Sequence, residues 1–172
     1  MMPLSGSNCT SFKRVAGLFP APNLKHALTS KTYLRKLYRL RGITSSFDAA
    51  AIDPYAHTPA EALATVRETR HVMVANHDAA TPLWITEVGW STGGEAVAYR
   101  TSRAGQAAYL GAFVGALNAQ RRALNIGGVI WYALRDSNAG GASWLFHTGL
   151  LTAGGRPKPS LAALAGFTGG TG

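Results

Sequence analysis

The segment 81–91, TPLWITEVGWS, places one acidic residue, Glu87, at the end of a short apolar run. Residues 83–86 favour β-strands, and Pro82 and Gly89 bound them, which is typical of a buried strand. Because a buried carboxylate is costly unless it is paired or solvated, this position requires either an ionic partner or a cleft. The pattern leaves two interpretations open: a structural glutamate paired with an arginine, or a functional carboxylate.

A second apolar run, GVIWY at 128–132, also reads as a strand and leads into ALRD at 133–136. Between the two runs lies a helical pattern from about Ser102 to Leu124. Strand, helix and strand at this spacing predict parallel strands joined by a right-handed crossover. The carboxyl ends of such strands share one edge, where α/β proteins carry their chemistry.

The same alternation occurs twice upstream. We expect strands at 14–19 and 47–52, a helix from Thr58 to about Asn76, and a last helix at 160–167. The sequence TPAE at 58–61 supplies a capping threonine, a proline at the first helical position and a glutamate three residues after the cap. The first helix is expected at 33–40, capped by Ser30 or Thr32, with its apolar residues as the inner face: Tyr33, Leu34, Leu37, Tyr38 and Leu40.

Four βα units predict an α/β domain over 14–167 that forms a partial TIM barrel. The chain has 172 residues, whereas a complete (β/α)8 barrel needs about 250. A small open sheet is the alternative, although parallel sheets need both faces covered. Residues 1–13 read as an irregular leader and 168–172 as a flexible tail.

The composition of the chain limits the classes of function that it can have. Seventeen basic and eight acidic residues give a net charge of +9, which suggests a nucleic-acid partner, but the densest basic cluster, between Lys31 and Arg41, reads as the solvated face of one helix. The single cysteine, Cys9, excludes an intrachain disulfide, and the histidines lack ligand spacing, so no metal or other cofactor is predicted. The sequence shows no membrane span or signal peptide, so the localisation is unknown and cytoplasmic by default.

Five motifs in order resemble a known enzyme group: DPYA (53–56), WITEVGWS (84–91), WYALRD (131–136), GLL (149–151) and KP (158–159). They resemble the carboxyl-terminal half of retaining (β/α)8-barrel glycoside hydrolases, the cellulase, xylosidase and arabinogalactanase-like clan with catalytic glutamates on strands four and seven. The resemblance covers about 14–167. It implies that the four units correspond to strands five to eight and that the substrate is a carbohydrate.

The resemblance also implies roles for site residues. Glu87 would be the nucleophile at the end of strand seven, since a retaining enzyme needs an ionised carboxylate at the anomeric carbon. Trp131 would be an aromatic platform for a sugar ring, and Tyr55 would orient Glu87. Trp90 and Asp136 would line the same rim. For both tryptophans, simple core packing is the alternative.

One expected residue has no counterpart. The group carries an acid/base glutamate after an asparagine on strand four, and only a polar segment precedes the strand at 14–19. Asp53, where the group often has histidine, or Asp136 could donate the proton instead; Glu95, in a loop, is a poorer candidate. We therefore expect a truncated glycoside hydrolase, completed by a second half-barrel or by self-association. A catalytically inactive carbohydrate-binding remnant and a basic nucleic-acid binder are the alternatives.

Overall fold

The computed structural model of the chain describes residues 14–18, 29–95, 97–139 and 142–169. These residues form one parallel sheet in the order β1-β2-β3-β4. The strands are β1 (Val15–Leu18), β2 (Ala49–Ile52), β3 (Leu83–Val88) and β4 (Ile126–Trp131). The helices are α1 (Ser30–Leu37), α2 (Pro59–Ala75), α3 (Arg103–Ala119) and α4 (Pro159–Thr168). The predicted α/β class and parallel sheet are confirmed, and the architecture is consistent with part of a TIM barrel. The predicted leader at 1–13 lies outside the described residues.

The strand register fixes which residues meet at the carboxyl edge. Ile52 of β2 pairs with Ile85 of β3, so the residues that follow each of them lie side by side. At the end of β3, Gly89 allows a close approach to the next strand: a Cβ atom there would lie 2.2 Å from the carbonyl oxygen of Tyr132. Only glycine fits at that position, because the obstructing atom belongs to the backbone.

The two faces of the sheet differ. Leu83 and Ile85 of β3 are fully buried in the core that the helices cover. Side chains alternate along a strand, and on the opposite face Val15, Trp84 and Ile130 are 55%, 38% and 52% exposed. We call this second side the concave face. It is apolar, and helices of the described chain do not cover it.

The predicted start of α2 is confirmed. The Thr58 hydroxyl accepts from the backbone N–H of Glu61, and the Glu61 carboxylate accepts from the backbone N–H of Thr58. The predicted inward residues of this helix, Ala62, Leu63, Val66 and Met73, are all buried.

The prediction for α1 is wrong in part. Thr29 caps this helix, one residue before Ser30, and the helix ends at Leu37. Because the helix stops early, Leu40 no longer continues its inner face and is 58% exposed, while Tyr33 lies at the border of that face and is 44% exposed.

A buried arginine joins the loops that enter β3 and β4. Arg70 is 4% exposed, and its guanidinium donates to the carbonyl oxygens of Leu124 at 2.7 Å, Thr81 at 3.0 Å and Asn125 at 3.2 Å. Fixed donors to the carbonyl oxygens of a buried loop stabilise that loop. This contact sets the amino ends of two neighbouring strands, opposite the edge that carries Glu87.

None of the helices in the described ranges is long and apolar enough to cross a membrane.

Candidate functional site

Glu87 is the fifth residue of β3 and is half-buried at the carboxyl edge of the sheet. The Tyr55 hydroxyl, from the segment after β2, donates to Glu87 Oε2 at 2.9 Å. Burial raises the pKa of Tyr55, and the charge of Glu87 raises that pKa further. The phenol therefore stays protonated at neutral pH and acts as a permanent donor to this carboxylate. Among the described residues, no cation forms an ion pair with Glu87.

Asp53 is the second carboxyl group at this edge. It follows β2 directly and is 6% exposed, and Thr86 Oγ1 donates to its Oδ1 at 2.7 Å. Burial raises the pKa of Asp53, and the nearby charge of Glu87 acts in the same direction. Hydrogen bonds from Thr86 and from the Glu87 backbone oppose this increase. The net result is a carboxyl group that holds its proton more tightly than an ordinary aspartate.

Both carboxyl groups line one cavity of about 380 Å³. Its lining comes from β1, β2, β3 and the residue that follows β2: Val15, Gly17, Ala51, Asp53, Thr86 and Glu87. This volume is within the range of about 300–1,000 Å³ that is usual for small-molecule sites. The cavity opens on the concave face. Strict alternation would turn Glu87 to the side of Leu83 and Ile85, but the pairing of β3 with β4 is irregular between Ile85 and Val88, and Thr86 and Glu87 both line this cavity.

Trp90 lies in the core instead of on the rim. It is 1% exposed, and its ring packs edge-on against Tyr109 at 5.5 Å and Phe113 at 6.0 Å. Its indole N–H donates to the carbonyl oxygen of Ala56. With its ring surrounded and its one donor used, Trp90 offers no face to a ligand.

Trp131, the last residue of β4, is half-buried. Its indole N–H donates to the Thr148 carbonyl oxygen at 3.0 Å, and its ring centre lies 6.0 Å from that of Trp90. The ring is thus held in one orientation at the edge of the sheet while part of it stays accessible. The exposure of Trp131 thus differs from that of Trp90, although both tryptophans lie at the end of a similar apolar run.

Asp136 anchors loops. Lys158, whose side chain is 0% exposed, lies 2.8 Å from both Asp136 oxygens, and its ammonium also donates to Thr92 Oγ1 at 2.9 Å. The backbone N–H of Gly149 donates to Asp136 as well. Burial lowers the pKa of Lys158. The cluster joins the loops after β3 and β4, and it uses both oxygens of the Asp136 carboxylate.

Two further aromatic residues, Trp144 and Tyr99, lie beside the site and were not predicted from the sequence. The ring of Trp144 stacks on Tyr99 at 4.5 Å and meets Tyr55 edge-on at 5.1 Å. Both residues lie in the long segments that follow β3 and β4. The one sequence pattern that could have indicated them is an aromatic residue within a segment rich in glycine and serine. Together with Tyr55 they form an aromatic wall that leads away from Glu87.

Glu95 is exposed in the loop after β3 and does not line the cavity. The described part of the chain holds no group of three or more His, Cys, Asp or Glu side chains placed to bind a metal ion. The candidate site therefore consists of two carboxyl groups, one phenol and nearby aromatic rings.

No protein-family model matches the chain, and no curated protein matches it in sequence. Its fold is similar to that of glycoside hydrolases of known structure. A family 39 glycoside hydrolase from Bacteroides cellulosilyticus shares 22% identity (TM-score 0.60) over 77% of this chain and 29% of that chain. The GH53 catalytic domain from Ignisphaera aggregans shares 20% identity (TM-score 0.59) over 88% of this chain and 45% of that chain. A GH5 protein from Bifidobacterium longum, in complex with Manβ1-4GlcNAc, shares 16% identity (TM-score 0.57) over 71% of this chain and 30% of that chain.

These similarities establish a glycoside hydrolase-like fold. The chain spans less than half the length of each of these structures.

The buried ion pair generates a stability prediction. Lys158→Met leaves Asp136, whose side chain is 10% exposed, without its cation, and a broken buried pair costs about 3–5 kcal/mol. The matched control is Lys31→Met, which breaks an exposed pair with Glu68 and should cost less than about 1 kcal/mol. Urea unfolding followed by tryptophan fluorescence measures both. Equal losses for the two variants would contradict the assignment of Lys158 and Asp136 as the loop anchor.

Proposed function

We propose that the chain is a retaining glycoside hydrolase that cleaves O-glycosidic bonds with Glu87 as its nucleophile. The observation that carries this proposal is a strand-end carboxylate in a cavity that accepts a hydrogen bond from the Tyr55 hydroxyl and forms no ion pair with an arginine of the described residues. The glycoside hydrolase-like fold supports the same function. The substrate class is an oligosaccharide or a glycoside.

The proposed chemistry uses the contacts around Glu87. Its carboxylate attacks the anomeric carbon to form a glycosyl-enzyme intermediate, which water then hydrolyses. The 2.9 Å hydrogen bond from Tyr55 fixes the orientation of the carboxylate before attack, which lowers the entropic part of the barrier. Trp131 supplies an aromatic surface beneath the sugar, and the wall formed by Trp144 and Tyr99 bounds the space beyond Tyr55.

We further propose that the domain at 14–167 corresponds to strands five to eight of a (β/α)8 barrel and that a second half-barrel covers the concave face. Among the described residues, neither β1 nor β4 has a second neighbouring strand. Val15, Trp84 and Ile130 expose apolar surface between these two edges. Unpaired strand edges and a wide apolar face favour association with further strands.

The nucleophile assignment predicts a selective loss of activity. Glu87→Gln keeps the size of the side chain but removes the negative charge, so turnover of a dinitrophenyl glycoside should fall by about 10³-fold or more. Glu95→Gln, the same change at an exposed loop position, should leave turnover unchanged. Circular dichroism should show both variants folded. Equal activity of the two variants would exclude Glu87 as nucleophile, whereas sugar binding without any hydrolysis by the parent chain would favour a binding protein.

The open concave face predicts self-association of the isolated chain. Sedimentation equilibrium should give a species of twice the 18.1 kDa mass of one chain, because a two-fold arrangement pairs β1 of each copy with β4 of the other. Ile130→Lys places a charge on this face and should shift the equilibrium to the monomer, whereas Val74→Lys, at an exposed helical position, should not. A parent chain that stays monomeric at all concentrations would contradict closure by a second copy.

A further inference from the structure

We propose that Asp53 is the proton donor for the leaving group in the reaction that Glu87 starts. This inference rests on the proposed function. It assigns the role of acid and base to the residue that directly follows β2.

The position of Asp53 follows from the strand register. Ile52 pairs with Ile85, so Asp53 lies beside Thr86, and Glu87 is the next residue of β3. Neighbouring strands lie about 4.8 Å apart. The two carboxyl groups therefore extend from neighbouring strands, and the proposed mechanism requires them to lie about 5–5.5 Å apart. Both side chains also line the same cavity, so one bound sugar can reach both.

The surroundings of Asp53 suit a group that gives up a proton during the reaction. It is 6% exposed, and the ion pairs of the described residues do not include it. Its pKa is raised by burial and by the adjacent charge of Glu87. Two carboxyl groups in one site rarely ionise together, and the more buried one keeps the proton.

The other candidate donors are placed differently. Both oxygens of Asp136 contact Lys158, which leaves that carboxylate as a structural anchor. Glu95 is exposed and outside the cavity. Of the carboxyl groups predicted from the sequence as substitutes, Asp53 is the one that lines the cavity of about 380 Å³ together with Glu87.

The proposed reaction has two steps. Asp53 transfers its proton to the glycosidic oxygen while the bond from that oxygen to the anomeric carbon breaks, and the bonding electron pair stays with the oxygen. One carboxylate oxygen of Glu87 forms the new bond to the anomeric carbon. In the second step Asp53, now ionised, takes a proton from water, the water oxygen bonds to the anomeric carbon, and Glu87 leaves as a carboxylate.

The test compares two leaving groups in the full chain. General acid catalysis is worth about 10²–10⁴-fold, but a dinitrophenolate departs without a proton. Asp53→Asn should therefore reduce kcat/KM for a phenyl glycoside by about 10²-fold or more and for the dinitrophenyl glycoside by less than about 10-fold. Glu87→Gln should reduce both. Equal effects of Asp53→Asn on the two substrates, or no effect on either, would overturn the role of Asp53 while leaving the role of Glu87 intact. Absence of turnover by the parent chain would overturn both.

Two further readouts separate proton donation from structural support. The parent activity on the phenyl glycoside should fall as pH rises through the pKa of Asp53, because the protonated form is the active one. Thr86→Val removes a hydrogen bond that lowers this pKa, so the fall in activity should occur at higher pH in this variant. If Asp53→Asn does not fold, the Thr86→Val variant still tests the proposal, because a fall in activity at the same pH as in the parent would contradict it. In folded Asp53→Ala, the second step lacks the base that activates water, so kcat for the dinitrophenyl glycoside should be low, and added azide should raise it and give the glycosyl azide.

Discussion

The parallel pairing of β2 with β3 is the constraint on which the site depends. With Ile52 opposite Ile85, the carboxyl ends of both strands reach the same edge, and Asp53 and Glu87 enter one cavity. A shift of one residue would turn every side chain of β3 to the other face. The core prevents that shift, because Leu83 and Ile85 are fully buried beneath the helices.

Two buried cations hold the ends of the sheet. At the amino edge Arg70 donates to the carbonyl oxygens of the loops that enter β3 and β4. At the carboxyl edge Lys158 joins the loops that leave those strands, through Asp136 and Thr92. Such groups are costly to bury unless every donor is used. Their presence at both edges fixes the loops and leaves the carboxyl groups of the cavity free of lysine and arginine partners among the described residues.

Local patterns in the sequence were sufficient for the elements but not for the directions of loop side chains. The capping box of α2 and the apolar run of β3 are encoded within a few residues, so both were predicted at nearly their observed bounds. Trp90 follows β3 and Trp131 ends β4, and the two apolar runs are similar, yet three-dimensional packing makes Trp90 a core residue. Trp144 and Tyr99 meet across two loops, and their separation in sequence carries no local signal.

The central claim is that Glu87 forms a covalent bond to a sugar, and trapping that intermediate tests it most directly. A 2-deoxy-2-fluoro glycoside with a dinitrophenolate leaving group slows the second step more than the first, so the glycosyl-enzyme accumulates. Peptide mass spectrometry should then find one fluoro-sugar attached to Glu87, close to the Tyr55 hydroxyl that contacts it. An adduct on Asp53 or on another residue, or an unmodified chain after prolonged incubation, would contradict the account.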